Sequence, residues 1–106
     1  MDAKSFTMMA ELTELYGALL TPKQRLIMET RFHQDYSLSE ISEHTKISRS
    51  AVQDTLKKTS EKLLDIEKKL GFLKQNTTVK EGLEKLESTH LNPEQLTLIQ
   101  QIKEVI

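Results

Sequence analysis

The run SRSAVQDTLKK, Ser48 to Lys58, sets Arg49, Ser50, Gln53 and Lys57 at three- and four-residue offsets, which a helix brings to one side. Arg and Gln are side chains that grip guanine and adenine edges through paired hydrogen bonds, while Ser and Lys donate to phosphate oxygens. Ser48 is a good cap for such a helix, whose free N-terminal amides favour a phosphate nearby. With the flanking lysines, the candidate nucleic-acid-binding group is Lys46, Ser48, Arg49, Ser50, Gln53, Lys57 and Lys58. Asp54 falls on the same face. A carboxylate there is repelled by phosphate unless it accepts from a cytosine amino group. Its simplest partner is Lys58, four residues on, a pairing worth roughly a few tenths of a kcal/mol.

Other chemistries have little to stand on. His33, His44 and His90 are scattered, and no carboxylate pair or Gly-rich phosphate loop accompanies them. Glu40 and His44 lie one helical turn apart and could touch a metal, but no third ligand follows at helical spacing. There is no cysteine, hence no disulfide, thiolate ligand or thiol nucleophile. The expectation is a non-enzyme with no cofactor and no metal.

A chain of 106 residues can bury one core but not two independent ones. With 37% hydrophobic and 29% charged residues but only 5% aromatic, it suits a soluble all-α domain better than a sheet. No long apolar run supplies a secretion signal or a membrane span, so a cytoplasmic protein is expected. The net charge of -1 hides an uneven distribution. Residues 1–44 carry four basic and seven acidic groups, residues 45–62 five and two, and residues 63–106 six and seven. Positive charge therefore concentrates on the segment that carries the polar face.

Local signals place the elements that must position that face. Phe6, Met9, Leu12, Leu15, Tyr16 and Leu19 recur with helical period, predicting a helix from about Ser5 to Leu20 in which Gly17 permits close packing. Thr21, Pro22 and Gln24 open a second helix through a capping box, with Leu26, Ile27 and Phe32 inward. Ser37 and Glu40 box a short third helix bearing Leu38 and Ile41. The turn TKIS follows, pinned by Ile47, and Ser48 starts a fourth helix reaching Leu70. Leu38, Ile41, Ile47, Val52 and Leu56 make the internal packing set of a helix-turn-helix.

Along the fourth helix Val52, Leu56, Thr59, Leu63, Ile66 and Leu70 form a heptad-like seam. It either packs on the first helix of the same chain or joins two copies. Polar LKQNTTVK suggests a boundary, dividing the chain into residues 1–75 and a helical extension, 76–106, weakened at Gly82. Asn92, Pro93 and Gln95 open a last helix whose stripe of Leu96, Ile99, Ile102 and Ile106 needs burial somewhere. The candidate self-association residues are Leu63, Ile66, Leu70, Leu96, Ile99 and Ile102.

The runs LTPKQRLIMETRF and SLSEISEHTKISRSAVQDTLKKT resemble the region 4 helix-turn-helix of bacterial sigma factors. Preceded by LTELYGALLT, they look more closely like the YlxM family of small bacterial proteins, over Phe6 to Leu70. The resemblance implies a sigma region 4-like bundle with a long recognition helix, DNA binding, and a link to the signal recognition particle pathway. An acidic residue at the place of Asp54 is typical of that family. Pro22 departs from its usual acidic residue, Ser42 from alanine, and Thr45 with Lys46 from a turn that often holds glycine. Two functions stay open: a DNA-binding homodimer, or an adaptor that binds the particle's GTPase or its RNA through the same fold. Neither inserts into a membrane.

Overall fold

The computed structural model describes residues 2–106. Every regular element among them is helical: α1 Ala3–Tyr16, a 3-10 turn Gly17–Leu19, α2 Pro22–Phe32, α3 Leu38–Thr45, α4 Arg49–Leu70, α5 Phe72–Glu87 and α6 Pro93–Glu104. The chain divides into two compact units, Met1–Leu70 and Gly71–Ile106.

In the first unit, α2 packs against α1, α3 and α4, and α1 packs along α4. Met9, Leu12 and Tyr16 are buried as the helical period predicts. Leu19 is not. α1 stops at Tyr16, and the tighter 3-10 turn shifts the period so that Leu20 goes inward instead. Gly17 permits close approach: a Cβ there would lie 3.2 Å from Nε of Arg25. The second correction falls on α2, where Leu26 is exposed while Ile27, Met28 and Phe32 are buried. A helix gripped by neighbours on two sides buries adjacent positions, which a single-stripe pattern misses.

The seam on α4 is turned into this same bundle. Val52, Thr59 and Leu63 are buried, and Leu56 and Ile66 are half-buried. Tyr16 donates its hydroxyl to Glu67 Oε1 at 2.6 Å, and Lys62 Nζ donates to the Leu19 carbonyl at 3.2 Å, tying α1 and the turn after it to α4. The seam from Val52 to Leu63 thus packs within the chain, while Leu70 at its end is exposed.

Gly71 ends α4 in the left-handed conformation, φ +68°, and α5 starts at the next residue. The two units meet at Leu70, ahead of the boundary expected at residue 75, and LKQNTTVK is helical throughout. Asn and Thr cost a helix only about 0.7 kcal/mol each, and Thr78 returns its hydroxyl to the Lys74 carbonyl at 3.0 Å. Such residues weaken a helix without ending it. In the second unit α5 pairs with α6, Asn92 and Gln95 form the expected capping box, and Lys103 pairs with Glu87.

One polar group in the first unit is out of place. Thr59 is 1% exposed and, among the described residues, its Oγ1 has no hydrogen-bond partner. An unsatisfied buried hydroxyl costs about 1–3 kcal/mol. Thr59→Val keeps the branched shape and should stabilise the protein by about 1 kcal/mol, read as a higher denaturant midpoint with unchanged slope. An unchanged or lower midpoint would show that the hydroxyl is satisfied in solution.

Candidate nucleic-acid interface

The interface begins with a small apolar contact. Ile27 of α2, Ile41 of α3 and Val52 of α4 are each fully buried together, and Tyr36, Leu38, Ile47 and Leu56 pack against them. All five residues of the sequence-derived packing set belong to this cluster. Ile47 sits in the turn, where Lys46 adopts φ +62°, the left-handed conformation usually given to glycine. Three bonds hold that turn: Lys46 N–H to the Ser42 carbonyl at 3.0 Å, Ser42 Oγ to the Ile47 carbonyl at 2.6 Å, and Thr45 Oγ1 to the Ile41 carbonyl at 2.7 Å. Ser42 thus contributes a side-chain hydrogen bond to the turn.

Ser48 then caps α4, its Oγ accepting from Ala51 N–H at 3.2 Å. With Val52 inward, Arg49, Ser50, Gln53, Lys57 and Lys58 are all exposed, as are Lys46 and Ser48. Arg49, Gln53 and Lys57 form no side-chain hydrogen bond or ion pair among the described residues, so their donors face solvent. From Arg49 to Lys58 the helix advances about 14 Å, enough to cross the floor of a major groove about 12 Å wide.

Asp54 and Lys58 do pair, Oδ2 to Nζ at 3.1 Å, with 59% and 72% of their side chains exposed. Lys62, counted with the basic segment, is diverted to the Leu19 carbonyl. Of the cations between residues 45 and 62, Lys46, Arg49 and Lys57 are left uncommitted among the described residues.

The supporting helix uses its polar groups structurally. Ser37 and Glu40 cap α3 reciprocally: Glu40 N–H donates to Ser37 Oγ at 3.1 Å, and Ser37 N–H donates to Glu40 Oε1 at 3.0 Å. The Ser37 backbone bond, followed by the bond to its side chain, holds the Glu40 carboxyl below its ordinary value. The His44 ring lies edge-on to Tyr36 with centroids 6.0 Å apart. Among the described residues no group of three or more His, Asp or Glu side chains is arranged to hold a metal. No helix among them is long and apolar enough to cross a membrane.

The candidate self-association residues are scattered in their exposure. Leu63 and Ile99 are buried within the chain itself, at 0% and 4%, so neither offers a surface to a partner. Ile66 is half-buried, while Leu70, Leu96 and Ile102 are exposed. Further exposed apolar positions, Val79, Leu86 and Leu98, escaped the sequence reading. The signal was present, since Val79, Leu83 and Leu86 fall at helical steps within VKEGLEKLE.

The sequence profile of the family described as "Putative helix-turn-helix protein, YlxM / p13 like" matches residues 3–105. A UPF0122 protein of Thermoanaerobacter sp. (strain X514) is 42% identical over 104 residues, covering 92% of this chain and 89% of its own length. One from Caldanaerobacter subterraneus subsp. tengcongensis is 46% identical over 81 residues, 76% of this chain and 69% of its own. One from Mycoplasma capricolum is 37% identical over 98 residues, 92% and 85% of the two chains. The profile runs through α5 and α6, so the likeness extends well past Leu70.

The reciprocal cap makes the platform acid-sensitive. Because the folded state holds Glu40 below its ordinary value of 4.5, its contribution is complete above that pH and is lost as the pH falls through the lowered value. Glu40→Gln should flatten this part of the acid limb of a stability-against-pH curve. Curves that stay parallel down to the acid transition would contradict the cap's role.

Proposed function

The chain belongs to the YlxM / p13-like family of helix-turn-helix proteins, and on that premise we propose that it binds duplex DNA through the exposed start of α4. Arg49 and Gln53 read base edges, Lys46, Ser48, Ser50 and Lys57 meet phosphates, and Lys58 stands beside them paired with Asp54. One observation carries this. The polar residues at 49, 50, 53 and 57 are exposed together, and the apolar residues that would otherwise share that face are spent on the Ile27–Ile41–Val52 contact. A role in the signal recognition particle pathway, in the cytoplasm, rests on the family resemblance alone.

A second observation favours a protein partner. α5 is a helix of 16 residues with no buried residue, and Val79, Leu86, Leu98 and Ile102 are exposed in a unit whose one buried residue is Ile99. Thirty-six residues are fewer than a chain usually needs to sustain a core alone. The unit carries four basic and five acidic groups, so two copies meet without strong net repulsion. We propose that this surface joins two copies, with capture of the particle's GTPase as the competing outcome.

Each phosphate neutralised steepens the log–log salt dependence by about 0.9, so binding should weaken sharply as salt is raised. Arg49→Ala with Gln53→Ala should leave that dependence nearly intact while removing about 1–3 kcal/mol of discrimination per base pair read, measured by competition among duplexes. Binding that ignores salt and keeps its preference in the double variant would contradict the DNA reading. In sedimentation, the wild type should run as a dimer at about tens of micromolar, and Leu98→Asp with Ile102→Asp as a monomer. A monomeric wild type that retains the particle's GTPase in a pull-down would point to the adaptor instead.

A further inference from the structure

Asp54 is the one carboxylate among the residues proposed to face DNA, and the structure gives it a specific neighbour. Its Oδ2 lies 3.1 Å from Lys58 Nζ, and both side chains are more than half exposed. Lys57, the residue before Lys58, has a carboxylate four residues on in Glu61, the same spacing, yet among the described residues no such pair forms. The neutralisation is therefore confined to one of two adjacent lysines. Asp54 lies four residues after Ser50 and three before Lys57, which places its carboxylate on the same exposed side of α4.

We propose that Asp54 is a specificity-determining residue of the DNA-reading face, acting against sequence-independent binding. Lys58 is a phosphate contact only to the extent that Asp54 releases it, and the carboxylate itself repels any phosphate that approaches the helix at that level. Both effects fall on complexes held by phosphates alone, whereas in a matched complex Arg49 and Gln53 fix the helix in a register that leaves the Asp54–Lys58 pair closed. Neither touches the hydrogen bonds that Arg49 and Gln53 can make to a matching base pair. Specificity is the ratio of the two kinds of binding, and in a cell the non-matching sites are in vast excess. A small, well-placed negative charge raises that ratio without any contact to a base.

This rests on the DNA reading above and deepens it. The test uses the full chain with a mixed-sequence duplex, titrated across a range of salt concentrations. Asp54→Asn should bind that duplex several-fold more tightly than wild type, with a slope steeper by about 0.9 as Lys58 becomes a phosphate contact. Adding Lys58→Ala to Asp54→Asn should return the slope to the wild-type value. Selection from a random-sequence pool should recover a sharper consensus with wild type than with Asp54→Asn. Equal slopes for wild type and Asp54→Asn would overturn the role of Asp54 while leaving DNA binding in place. Failure of both proteins to bind any duplex would instead overturn the DNA reading itself, and this inference with it. Thermal melts of the variants, matched to wild type, assign the changes to binding rather than folding.

Discussion

The contact of Ile27, Ile41 and Val52, fully buried among three helices, is the constraint on which the exposed face depends. An α-helix is stiff, so fixing one side chain inward fixes the direction of every other residue on it at about 100° per step. Once Val52 points into the cluster, residues 50, 53, 54 and 57 must point away from it. The polar face is thus set by apolar packing. Its own residues contribute little to holding it there, which leaves them free to meet a ligand.

The turn between α3 and α4 shows what that arrangement costs. Lys46 occupies a left-handed conformation that disfavours any residue with a side chain, by about 1–2 kcal/mol. Glycine would relieve the strain but would place no cation beside the N-terminus of α4. Ser42 offsets part of the cost by holding the Ile47 carbonyl, which keeps Ile47 against the cluster. Charge follows a similar local logic. A chain with net charge -1 is no general polyanion binder, yet at physiological salt charges interact over only about 8 Å. At that range the uncommitted Lys46, Arg49 and Lys57 matter more than the total.

Much of this was legible in the sequence because it is local. The boxes at Thr21–Gln24, Ser37–Glu40 and Asn92–Gln95 all form, since a cap depends on residues three apart. The packing set from Leu38 to Leu56 was legible for the same reason. The Asp54–Lys58 pair follows from a four-residue spacing. What escaped depends on neighbours distant in sequence. Leu26 and Met28 exchange roles because α2 is packed on more than one side. Leu63 and Ile99 look like free stripe residues until the fold covers them. Asn76, Thr77 and Thr78 look like a boundary, but the helix that starts after Gly71 runs straight through them.

The most direct test of the central claim is a nuclear magnetic resonance titration of the full chain with duplex DNA, following each backbone amide. The account predicts shifts concentrated in the turn and the first three turns of α4, at residues 46–58, with the amides of α5 and α6 little changed. Shifts confined to residues 71–106, with the start of α4 silent, would contradict it.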